Sequence, residues 1–138
     1  NGGAGYTNVP TVTVTLSPTD ASTVTHVCLT TALPCTTWQP MSATKTVVLP
    51  AIEGTRVVYA LFKDEWTNVS ATAAQSSIVL DTVLPTVDTA TATYGDASAT
   101  IGWTTSTDVT SGLSRYRVVW ATTTAPARVA ASSMPLFL

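Results

Sequence analysis

The sequence predicts an all-β chain built from strands packed in face-to-face layers, and three observations carry that expectation. Threonine fills about a fifth of the 138 residues. A β-branched side chain that is stiff at χ1 suits a pleated surface better than a helix. Apolar and hydroxylated residues alternate with period two along much of the chain, the mark of strands with one face buried and one in water. Clusters of Gly, Pro, Asp, Asn and Ser interrupt that pattern at intervals of roughly ten residues or a little more, which fits short strands of a sandwich better than helices.

Taken in order, residues 11–16 (Thr-Val-Thr-Val-Thr-Leu) place Val12, Val14 and Leu16 toward a core and three threonines toward water. Residues 17–22 supply turn chemistry. Residues 23–29 form a second strand, in which His26 shares a face with Val24 and Cys28. A loop and the Trp38 segment follow. Residues 45–49 read as a strand closed by Pro50 and Gly54. Residues 56–63 are the longest run, with Val58, Ala60 and Phe62 on one face and Val57, Tyr59 and Leu61 on the other. Residues 64–68 are a turn, and residues 70–80 hold one or two further strands.

The pattern then restarts. Residues 1–81 make one module, 82–86 a proline-containing linker, and 87–138 an incomplete second module. In the second module, strands are expected at 87–94, 97–104 and 113–121, with a Gly95-Asp96 turn and a loop at 108–112. Ile101 pairs in orientation with Trp103, and Tyr116 with Val118 and Trp120. Beyond residue 122 the alternation fades into an Ala/Ser/Pro-rich tail. Three strands leave an apolar face uncovered, so residues 87–138 are expected to be marginally ordered or to borrow surface from the first module.

Charge narrows the function classes. Charged residues make up 10% of the chain, and the net charge is −2. The six basic residues are scattered, whereas a nucleic-acid surface clusters Lys and Arg. No apolar run reaches the roughly 18 residues of a membrane span. Asn1 is not a natural start, so an export signal is expected upstream.

Cys28 and Cys35 lie within reach of a local disulfide; free thiols and a metal pair are the alternatives. A disulfide implies an oxidising compartment. The lone histidine, His26, lacks a nucleophile elbow and reads as structural. The eight acidic residues sit singly in turns, where a carboxylate caps backbone amides. Catalytic residues are therefore assigned to none, and the chain is expected not to be an enzyme. The sharper alternative for the acids is calcium, with Asp64, Asn68 and Asp81 as candidate ligands near a module end. Trp38, Trp103 and Trp120 are expected to fill cores. Trp66, in a polar turn, is the candidate ligand-binding residue. Asn68-Val69-Ser70 is formally a glycosylation sequon.

The ordered series formed by Tyr6-Thr7-Asn8, residues 11–17, Thr19-Asp20-Ala21-Ser22, Cys28, Trp38, residues 54–59, residues 62–70 and Leu80-Asp81-Thr82-Val83-Leu84-Pro85 resembles bacterial immunoglobulin-like repeat modules. Residues 99–118 resemble the first three strands of a fibronectin type III-like module. The resemblance implies an immunoglobulin-like β-sandwich followed by a partial second sandwich, with the leading strand of the first module missing. Thr67 stands where the family's turn carries glycine, and Thr23 likewise. Threonine fits a φ > 0 position poorly, which predicts a turn of another type at 64–68. The implied function is a structural spacer or display repeat of a secreted or surface-anchored multidomain bacterial protein. Its partners would be neighbouring modules of the same chain and a surface protein or glycan. An adhesive or carbohydrate-binding module and an accessory domain of a secreted hydrolase are the alternatives.

Overall fold

The computed structural model describes residues 2–86 and 89–118. The chain divides into two compact units, Asn1–Thr82 and Val83–Leu138. The described residues are all-β, with no helix among them; accordingly, none of them forms a helix long and apolar enough to cross a membrane.

The first unit contains β1 (Tyr6–Thr7), β2 (Thr11–Thr15), β3 (Val24–Thr30), β4 (Trp38–Pro40), β5 (Thr44–Val48), β6 (Gly54–Asp64) and β7 (Ala74–Leu80). One sheet has the order β1-β7-β6-β3-β4 and the other is β2-β5. Every pairing is antiparallel except β1 with β7. The alternation in residues 11–16 does what it predicts. Val12 and Leu16 are buried, Val14 packs beside them, and Thr11, Thr13 and Thr15 face out.

Two apolar clusters join the sheets. Val12 and Leu49 meet Val58, with Val14, Val47, Leu29 and Ile78 around them. Leu16 meets Val27 and Ala60, flanked by Met41 and Phe62. Residues from β2 and β5 thus interdigitate with residues from β3, β6 and β7, as the layers of a sandwich do.

Several local features differ from the sequence pattern. Tyr6–Thr7 forms a leading strand, held by Val79 N–H donating to Gly5 O and Asp81 N–H donating to Thr7 O, both at 2.9 Å. Two residues are too short to show a period. Of the one or two strands expected in residues 70–80 there is one, Ala74–Leu80, preceded by a single bridge between Lys63 and Val69. The β3–β6 register shifts between Val24 and His26, so that Val24 lies opposite Asp64 and His26 opposite Lys63. The two therefore do not share a face. The Thr25 hydroxyl supports the bulge by donating to Asp64 O at 3.0 Å. His26 is exposed, its Nδ1 3.0 Å from the Thr25 hydroxyl.

Trp38 does not fill the inner core. It pairs across β3 with Cys28, whereas the core residue Val27 pairs with Gln39 and Phe62. Trp38 therefore stands on the outer face of the large sheet, half-buried, with the Lys63 ammonium 4.2 Å from its ring centroid. An alternating apolar pattern says which residues share a face but not which face turns inward.

The second unit contains the hairpin β8 (Ala90–Gly95) and β9 (Ser98–Trp103). Its loop is Asp96-Ala97, with Ala97 at φ 57°. The 108–112 loop is closed by Asp108 Oδ1, which accepts from the Thr110 and Ser111 amides at 3.2 and 3.1 Å. Gly112 supplies φ 76° at the loop's end. Residues 113–118 form no strand. Arg115 makes an isolated bridge, and side-chain contacts add to it: the Tyr116 hydroxyl accepts from Ser106 N–H at 3.0 Å, and its ring lies 5.9 Å from that of Trp103. Trp103 remains half exposed rather than filling a core. Residues 87–88, the 119–121 part of the expected strand with Trp120, and the tail from 122 onward lie outside the described residues.

Candidate functional site

β6 ends at Asp64, and the chain turns there because one carboxylate satisfies several donors at once. Asp64 Oδ1 accepts from the Trp66 and Asn68 amides at 2.9 and 2.8 Å. Oδ2 accepts from Asn68 Nδ2 at 2.8 Å and from the Ser22 hydroxyl at 3.0 Å. The Asp64 amide donates to Asn68 O at 3.1 Å, and Thr67 N–H donates to Asp64 O at 3.2 Å. Ser22 lies 42 residues away in sequence, so this acid ties the 64–68 turn to the 17–22 turn. Glu65 adds a second tie. Its amide donates to Thr23 O at 3.0 Å, and its Oε1 accepts from Thr23 N–H at 3.3 Å.

Asp64 is 5% exposed. Burial pushes its pKa up, but the hydrogen bonds from the Asn68 side chain and amide, the Ser22 hydroxyl and the Trp66 amide outweigh that. Together they hold the carboxyl below its ordinary value of 3.8.

The turn keeps the left-handed conformation expected of a glycine. Thr67 has φ 69°, contrary to the prediction of a different turn type. A β-branched residue is strained there, and the bonds that fix Trp66 and Asn68 on either side hold it in place. The Trp66 backbone is thereby fixed by its amide hydrogen bond to Asp64, and its side chain projects into solvent, 72% exposed. The sequon beside it is built into the same turn. Asn68 Nδ2 is engaged by Asp64, and Ser70 Oγ accepts from Phe62 N–H at 3.1 Å.

The three candidate calcium ligands do not converge. Asp64 and Asn68 bond to each other, but Asp81 follows Leu80, which pairs with Gly54 at the far end of β6. The length of β6 puts about 30 Å of strand between the two places. At Asp81's end a different carboxylate is at work. Glu53 accepts from the Thr82 amide at 3.0 Å and from the Thr82 hydroxyl, fixing the last residue of the first unit. Glu53 is one of the acids expected to cap a turn; its partner, Thr82, lies 29 residues away and is not legible in the sequence.

Cys28 and Cys35 are bonded, with S–S 2.02 Å and Cα–Cα 6.0 Å. Cys28 lies within β3 and is fully buried on the sheet's outer side, where Val27 occupies the inner side. The bond clips the β3–β4 loop to the sheet beside Trp38. Along the open side between β2 and β7 runs a groove of about 250 Å³, floored by Leu29, Val58, Ala60 and Phe62 and rimmed by Thr15, Ser17 and Gln75.

Searches against family models, curated proteins and solved structures return no match.

Proposed function

We propose that this chain is a structural spacer or display repeat of a secreted or surface-anchored multidomain bacterial protein, with an immunoglobulin-like first module. The observation that supports this best is where its carboxylates point. Asp64 and Glu65 brace two turns against each other, Asp20 accepts from the Ala21 amide and the Ser22 hydroxyl, Asp108 closes its own loop, and Glu53 grips Thr82. Each of these acids is bonded to the chain's own donors, which suits a group that stiffens a module.

The Glu53 grip holds Thr82, the last residue of the first unit, against the residue that precedes β6. That is a useful property in a repeat that must transmit length. The Cys28–Cys35 bond fits an oxidising, extracellular setting. The threonine-faced, low-charge surface fits solubility without dense charge.

The test is replacement within the protein that carries this chain. Exchanging residues 1–82 for an unrelated β-sandwich of equal length should preserve whole-protein function, while deleting them should impair it. Loss of function in the length-matched exchange would reject a spacer role. A second reading, an adhesive or carbohydrate-binding module, draws on the exposed Trp66 side chain on its backbone-anchored turn. Glycan-array binding that disappears in Trp66→Ala would select it.

A further inference from the structure

The β8–β9 hairpin has one apolar and one polar face. Its register pairs Ala90 with Trp103, Ala92 with Ile101 and Tyr94 with Ala99 on one face. On the other face it pairs Thr91 with Gly102, Thr93 with Thr100 and Gly95 with Ser98. The apolar face lies open: Tyr94 is 83% exposed, Trp103 49% and Ile101 38%, and β8 is exposed along its whole length. A two-stranded ribbon with one bare apolar face is marginal in water. Asp96, the one charged residue in 89–104, sits in the loop.

We infer that this face is a self-association surface, seated on the same face of a second copy of this chain about a two-fold axis running along the strands. The size pattern selects a second copy. Each large side chain on the face has a small one directly across the ladder: Trp103 across from Ala90, Ile101 across from Ala92, Tyr94 across from Ala99. A two-fold axis parallel to the strands, between two such faces, exchanges the rows while keeping the height along the strand. It therefore lays Trp103 of one copy over Ala90 of the other, Ile101 over Ala92, and Tyr94 over Ala99. All three contacts become large on small, the complementarity that isologous packing requires. Tyr116 steadies the Trp103 end of the face through its ring contact and its bond from Ser106 N–H.

The area suits a weak dimer. Aromatic side chains present about 150–250 Å² when bare. Scaled by the exposures of Tyr94, Trp103, Ile101 and Tyr116, with the three alanines added, the face offers about 600 Å² per copy. The total of about 1,200 Å² lies at the lower end for specific interfaces.

Sedimentation equilibrium of the full chain tests this. A reversible monomer–dimer equilibrium in the micromolar range is expected. Ile101→Ala removes a knob and Ala92→Ile fills a hole, and each should weaken the dimer about tenfold, which is about 1.4 kcal/mol. The double variant Ala92→Ile/Ile101→Ala exchanges knob and hole between the rows and should recover most of the affinity, which a misfolded hairpin would not do. Thr93→Lys, on the polar face, should leave the dimer unchanged. A chain that stays monomeric at the highest concentration reached overturns the inference, whether its own residues or another protein then cover the face. Additive losses in the double variant, or a Thr93→Lys loss equal to that of Ile101→Ala, overturn it as well.

Discussion

Removing the Cys28–Cys35 bond by Cys28→Ala/Cys35→Ala should destabilise the first unit by a calculable amount. The bond closes a loop of sequence separation 7, and the chain-entropy relation gives about 2.4 kcal/mol for a loop of that size at 25 °C. Local structure adds to this. β4 has three residues and pairs with β3 alone, and the bond anchors the loop that delivers it. Alanine leaves no hydroxyl in the fully buried Cys28 position, so the variant isolates the cross-link better than serine would. The total expected loss is about 2–4 kcal/mol, a large share of the roughly 4–12 kcal/mol available to a domain of this size. Urea unfolding, followed by circular dichroism on the oxidised chain and the double variant, measures it. The midpoint should fall while the slope rises slightly, because the unfolded chain becomes more expanded. Native-state hydrogen exchange should place the local part at Met41, whose amide donates to Thr25 O at 2.8 Å. A loss below about 0.5 kcal/mol would show that the loop is held without its cross-link, and the loop-closure reasoning would fail.

Three other perturbations have definite signs. Asp64 has a depressed folded-state pKa, so the unfolded chain binds its proton more tightly. The stability it contributes is fully present above its ordinary 3.8 and disappears as pH falls through the lower folded value; Asp64→Asn should flatten the acid limb of a urea-midpoint profile, and an unchanged limb would count against the hub. Thr67→Gly relieves a β-branched residue at φ 69° and should raise stability by up to about 1 kcal/mol, seen as a higher Tm; a lower Tm would mean the threonine makes a compensating contact. Leu49→Ala, at a buried site linking both sheets just past the end of β5, should cost about 2–5 kcal/mol, while Val48→Ala, at the exposed last residue of β5, should stay within about 0.5 kcal/mol in denaturant melts; equal costs would contradict the assigned faces.

Strands were legible wherever one face is wet, because period two then survives in the residues themselves. Residues 11–16 show this, with Val12 and Leu16 in the core and the threonines exposed; in residues 56–63 both faces are apolar, and the inner set Val58 and Ala60 is the one that is buried. The pattern misled where a strand has both sides covered. Val27 and Cys28 are consecutive and both buried, so the face bearing Trp38 could not be told from the face bearing Phe62. The Thr25 bulge was invisible for a related reason: it depends on where β6 sits opposite, and one extra residue leaves no mark on composition.

At the candidate site, the capping role of Asp64 was readable from its place in a turn. Its bond to Ser22 was not, since 42 residues separate them and only the packed sheets bring them together. Asp81 was grouped with Asp64 because both were placed near a module end, but the length of β6 keeps them apart. Tyr6–Thr7 carried no signal beyond two residues of strand-forming type.

The carboxylate bonds at residues 64–68 and at Thr82 should make these parts of the first unit as stiff as its strands. ¹⁵N relaxation of the folded chain measures that stiffness directly. Amide order parameters for Trp66, Asn68 and Thr82 should match those of β6, at about 0.85; values below about 0.6 at these positions would contradict it.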